Sequence, residues 1–129
     1  MHGAQRLFPD EIRPMSTPIE GNSLRGHLET MVLSILERQA AHGFELIGRL
    51  ELAGCGSLRM KEGSLYPALY RMEDRGLIKG RWDAGAAERR GPRRRIYSLT
   101  GKGRRRLQVG RQEWTHFVAV IGGIVGAPA

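Results

Sequence analysis

The sequence predicts a mainly α fold of the α+β class. Three helices precede a two-stranded β-hairpin, and a further helix closes the chain. Three observations lead there. Apolar residues recur at helical spacing in segments between residues 24 and 76. Two short runs, around residues 78–82 and 96–99, alternate with a period of two. A last apolar series returns to helical spacing and runs to residue 125. With 129 residues, 40% hydrophobic and 26% charged, the chain can bury the core of one small domain.

Taken in order, residues 1–22 carry Pro9, Pro14 and Pro18 without periodicity, which predicts a disordered or loosely docked extension. They lack the apolar core of a secretory signal, and Met15 offers an alternative start. Order is expected from Asn22-Ser23, either of which can cap a helix. Leu24, Leu28, Met31, Val32, Ile35 and Leu36 then line one helical face. His42-Gly43 reads as a turn, and Phe44, Ile47 and Leu50 suggest a second, shorter helix. Gly54 and Gly56 mark the next break.

A third helix runs through Leu65, Leu69 and Met72 and ends at Gly76, a residue suited to a helix C-terminus. With Ser64 as its N-cap, Pro67 falls in the first turn, where a missing N–H is harmless; a start one turn earlier brings strain. Its other face presents Ser64, Ala68, Arg71 and Arg75. Ile78, Gly80 and Trp82 alternate with Lys79 and Arg81 in one strand, and Tyr97 and Leu99 alternate with Ile96 and Ser98 in the next. Asp83 to Pro92 between them reads as a flexible hairpin loop. Thr100 can cap the last helix, which starts weakly through Gly101 and Gly103. Its apolar positions are Leu107, Trp114, Phe117, Val118, Ile121, Ile124 and Val125. The seven-residue spacing of Leu107, Trp114 and Ile121 is that of a surface for a partner helix.

Charge is distributed very unevenly. The formal net charge is +8, and the window Glu88 to Arg106 supplies all of it, with nine basic residues against one acid. A neutral body bearing one cationic strip points to a polyanionic partner, nucleic acid first. The single cysteine, Cys55, excludes an internal disulfide and fits a reducing cytoplasm. His2, His27, His42 and His116 lack metal-ligand spacing, so no metal or cofactor is expected. With no nucleophile–base pairing and no phosphate-cradling loop, nothing points to an enzyme. Phe117 to Ala129 is too short to span a bilayer, so membrane insertion is not expected.

These elements spell a winged helix-turn-helix followed by a C-terminal dimerisation helix. The expected division is an extension over 1–22, a DNA-binding unit over 23–100, and the last helix with a short tail over 101–129. The third helix would read the major groove, where all four base pairs are distinguishable, through Lys61, Ser64, Tyr66, Ala68, Arg71 and Arg75. Arg89, Arg90, Arg93, Arg94 and Arg95 would place phosphate-neutralising charge on the wing, with Lys102 and Arg104 to Arg106 beside it.

The run Glu62-Gly63-Ser64-Leu65-Tyr66-Pro67-Ala68-Leu69-Tyr70-Arg71-Met72-Glu73, followed by Gly76-Leu77-Ile78, resembles the recognition-helix signature of the PadR family of bacterial transcriptional regulators. Gly26-His27-Leu28, His42-Gly43-Phe44-Glu45-Leu46 and Arg94-Arg95-Ile96-Tyr97-Ser98-Leu99-Thr100 extend the likeness over Leu24 to Trp114. The single closing helix is similar to that of the family's smaller subtype. The resemblance implies a cytoplasmic homodimer that binds double-stranded DNA at a roughly palindromic operator, on the nucleoid when bound. It also implies a repressor released by a signal. Trp114 matches a position that stacks on flat aromatic effectors in some relatives, with Leu107, Phe117, Val118 and Ile121 around it as dimer or effector residues. Two features depart from the pattern. Lys61 stands where relatives often carry a Ser or Asn cap, and Gly122-Gly123 is expected to shorten the dimerisation helix. Two rival readings remain: a non-specific binder of nucleic acid or anionic surfaces through the strip, and a protein-interaction module acting through the last helix.

Overall fold

A computed structural model describes residues 23–83 and 94–126, with side chains from residue 26 onward. Its elements are α1 (Ser23–Arg38), β1 (Ala41–His42), α2 (Gly43–Ala53), α3 (Glu62–Asp74), β2 (Ile78–Trp82), β3 (Arg95–Leu99) and α4 (Gly101–Val125). The expected extension over 1–22 and most of the expected hairpin loop lie outside the described residues.

Three helical faces close on one another. Val32, Leu33 and Leu36 of α1, Leu46 and Leu50 of α2, and Leu65, Leu69 and Met72 of α3 are all buried together. Leu77 and Ile78 close the core beneath β2, and Tyr97 adds its ring from β3. Each buried leucine or isoleucine contributes roughly 1.5–3 kcal/mol by leaving water.

The sheet has three antiparallel strands in the order β1-β3-β2, so β3 is central. The expected hairpin is present, with Gly80 opposite Tyr97 and Trp82 opposite Arg95. The additional strand is β1, where Ala41 pairs with Tyr97 and His42 with Ile96. His42-Gly43 is therefore a strand end running directly into α2 rather than a turn. The His42 backbone N–H donates to Glu45 Oε1 at 2.9 Å, satisfying a donor at the helix start.

Helix α3 begins at Glu62, one turn earlier than a Ser64 cap would allow. Lys61 is the N-cap and makes no side-chain capping bond. Pro67 consequently lies inside the helix. The C-terminus closes in a Schellman motif: Gly76 at φ +76° lets Leu77 N–H donate to the Met72 carbonyl at 2.9 Å, and Gly76 N–H to that of Glu73 at 3.0 Å.

Helix α4 also departs from expectation. It continues through Gly122-Gly123 to Val125 and stops at Gly126, which is left-handed at φ +77°. Two of its glycines are contact points. A Cβ on Gly103 would overlap the Leu77 carbonyl, and one on Gly110 would overlap the Thr30 side chain of α1. Leu107 between them is fully buried in the core. It therefore anchors α4 to the domain and does not belong to a surface for another helix.

The ends of α3 and α4 are stitched together. The Thr100 hydroxyl accepts from Gly103 N–H at 2.9 Å and lies 2.7 Å and 2.9 Å from the carbonyls of Gly76 and Leu77. Lys102 Nζ donates to the Arg75 carbonyl at 2.7 Å. Carbonyls left over at the end of α3 thus find donors in the first turn of α4.

Candidate nucleic-acid interface

Helix α3 turns Leu65, Ala68, Leu69 and Met72 inward. Gly63, Pro67, Tyr70 and Asp74, at spacings of four, three and four, define the centre of the opposite, exposed face. Ser64 and Arg71 lie exposed along one side of that row and Tyr66 along the other. Ala68 needs correcting: it is completely buried, because its position falls with Leu65 and Met72 and not with Ser64. A small side chain gives no sequence signal for either face. Tyr70 was left out of the sequence assignment, yet it is 76% exposed at the middle of the row. Tyr66 is only partly outward, since its ring lies against Gly43 at the start of α2, where a Cβ would collide with it.

The basic residues divide into paired and unpaired groups. Arg75 turns away from the row and holds Glu29 of α1, with Nη1 3.0 Å and 3.1 Å from the two carboxylate oxygens. Arg95 reaches Glu73, with Nη2 2.5 Å from Oε2, and its guanidinium carbon lies 5.2 Å from the centroid of the Trp82 ring. Arg106 holds Glu113 at 3.2 Å, and Lys102 is tied to the end of α3. By contrast, Lys61, Arg71, Lys79, Arg81, Arg94, Arg104 and Arg105 make no ion pair among the described residues. Lys79 and Arg81, missed in the sequence assignment, are exposed together on one face of β2, since alternate residues of a strand share a face. Arg89, Arg90 and Arg93 lie outside the described residues.

Between α1 and α4 lies an aromatic cluster. The Trp114 and Phe117 rings are stacked, 18° from parallel with centroids 5.8 Å apart. His27 of α1 meets both edge-on, at 5.3 Å and 4.9 Å, and its Nε2 is buried without a hydrogen-bond partner among the described residues. Trp114 remains half exposed. Beyond it Val120, Ile121, Ile124 and Val125 are exposed, Ile124 by 76%. Val118 is half-buried. No helix among the described residues is long and apolar enough to cross a membrane, and no metal-binding group occurs among them.

Two helices joined at a turn, the second outward-facing and flanked by a strand pair, define the winged helix-turn-helix class. Residues 32–109 match the PadR-like transcriptional regulator family, and the chain belongs to that family. Its members regulate transcription and are not enzymes. A transcriptional regulator from Clostridium thermocellum is similar over 81% of this chain and 99% of its own, with a TM-score of 0.71 and 27% identity. A PadR-like transcriptional regulator from Bacillus cereus is similar over 84% of this chain and 100% of its own, with a TM-score of 0.64 and 30% identity. The transcriptional regulator YqjI of Escherichia coli K12 is 32% identical over 88 residues, 68% of this chain and 39% of that protein. The chain thus spans about two fifths of that relative's length.

Proposed function

We propose that this chain is a homodimeric, sequence-specific DNA-binding repressor released by a small flat aromatic molecule. The observation that carries the reading is the exposed face of α3: small Gly63 and Ser64 lie at its start, and beside the row Arg71 makes no ion pair among the described residues. Small side chains allow the helix to lie deep in a major groove, and an arginine can bond a guanine edge in two places. Lys79 and Arg81 on β2, with Arg94 just before β3, supply charge for phosphates, giving affinity without sequence information.

Dimerisation through the exposed apolar end of α4 would pair two such units. The stack of Trp114 and Phe117 offers a face of matching shape for an aromatic effector. A cytoplasmic protein, on the nucleoid when bound, accompanies this reading.

The test is selection of bound duplexes from a random-sequence pool. A palindrome with half-site centres about one helical turn apart, ~34–36 Å, is expected. The Arg71→Ala variant should then lose discrimination at one base position in each half-site. Uniform binding to every duplex overturns the reading.

A further inference from the structure

Arg95 stands directly opposite Trp82 in the β2–β3 ladder. Directly opposed residues share a sheet face, and the buried Ile78 and Tyr97 identify it as the inward one. A cation at the start of the wing's second strand is therefore directed toward α3. There it bonds Glu73, with Nη2 2.5 Å from Oε2 and Nε 3.4 Å from Oε1, while its plane rests by Trp82.

Gly80 makes the crossing physically feasible. A Cβ at this position would occupy the volume of the Arg95 guanidinium. One acid in the last turn of α3 thus holds a guanidinium that comes from β3 and crosses a glycine of β2. The hydrogen bond from Arg95 is the main reason its carboxyl sits below the ordinary carboxylate range.

We infer that Glu73, Arg95, Gly80 and Trp82 form a brace fixing the angle of the wing against α3, so that Glu73 and Arg95 are positioning residues for DNA recognition. This rests on the DNA-binding reading above. It reverses a simple electrostatic expectation. An acid beside a DNA-binding face repels phosphates, so neutralising one should tighten binding. Neutralising Glu73 instead frees the wing and weakens binding. Arg95 as a phosphate contact would add about 0.9 to the salt slope, whereas as part of a brace it adds nothing.

The experiment uses the full chain and a duplex enriched by the wild-type chain from a random-sequence pool. Affinity is measured across salt concentrations, and amide exchange of β2 and β3 is followed without DNA. Glu73→Gln and Arg95→Gln should each weaken binding about three- to tenfold, with the double variant no worse than either. Their salt slopes should match wild type, and strand amides should exchange faster in both. Gly80→Ala, which keeps every charge but fills the guanidinium's place, should behave like Arg95→Gln and covers the case in which that variant folds poorly. Tighter binding by Glu73→Gln, a salt slope lowered by about 0.9 in Arg95→Gln, or additive losses overturn the inference. Failure of the wild-type chain to enrich any sequence overturns the DNA-binding reading itself. The exchange data then decide the brace separately, and unchanged protection overturns it.

Discussion

Gly103 of α4 lies so close to the Leu77 carbonyl that a single added carbon would overlap it. The backbone of the closing helix is thereby pressed onto the junction between α3 and β2. Gly103→Ala should destabilise the fold by about 1–3 kcal/mol through overpacking. Gly48, inside α2 with open space around it, provides the contrast. Gly48→Ala should be stabilising by about 0.5–1 kcal/mol, since alanine is the better helix former. Denaturant unfolding of both variants checks the pair, and equal effects would remove the special role given to Gly103.

Arg75→Ala tests whether a cation of the reading helix serves DNA or the fold. Its guanidinium is held by Glu29, a carboxylate mostly withdrawn from water. The variant should unfold at lower denaturant and bind DNA with an unchanged salt slope. Arg94→Ala should do the opposite: stability holds, affinity falls for all sequences, and the slope drops by about 0.9.

The apolar end of α4 predicts the assembly state. Ile121 and Ile124 are both exposed, one turn apart. Glutamate at both positions should leave the fold intact and give a monomer by sedimentation, with operator affinity falling accordingly. Trp114→Ala should weaken the dimer or abolish a response to flat aromatic compounds. A variant altering neither would reduce Trp114 to a packing residue.

Acid sensitivity follows from three carboxylates. Glu73, Glu45 and Glu37 are held below their ordinary value of 4.5, chiefly by hydrogen bonds from Arg95, the His42 backbone and Arg111 respectively. A depressed folded-state value means the folded state favours the ionised form. Their stabilisation is therefore complete above about pH 5 and is lost as pH falls through the folded-state values. Glu73→Gln should flatten this acid limb in unfolding curves measured from pH 6 to pH 3. An unchanged limb would show that Glu73 contributes nothing to it.

Much of the fold was legible because its signals are local and repeated. The periodicity of Leu24 to Leu36, the Leu65-Leu69-Met72 face and the alternation around Ile78 and Tyr97 each span several residues. Strand β1 was not legible, since its two residues become a strand only by pairing with β3. Gly103 looked like part of a weak helix start because the contact that requires it belongs to the junction of α3 and β2. The site was read less fully for a related reason. Arg75 and Arg95 look like free cations in sequence, whereas their partners lie 46 and 22 residues away. Charge counting cannot separate a paired arginine from an unpaired one.

The anchoring of α4 sets a mechanical constraint. At about 1.5 Å per residue, its 25 residues make a rod of roughly 37 Å. Its first two thirds are fixed to the domain, at the junction behind the reading helix through Thr100, Gly103 and Leu107 and along α1 through Gly110, Trp114 and Phe117; its last turns carry the bare apolar stripe. Over that length a swing of about 5° displaces the far end by about 3 Å, nearly one base-pair rise. In the proposed dimer, a modest change of crossing angle where two rods meet would alter the span between the two reading heads. The same two heads would then no longer fit successive turns of one duplex, although no residue facing the DNA had changed.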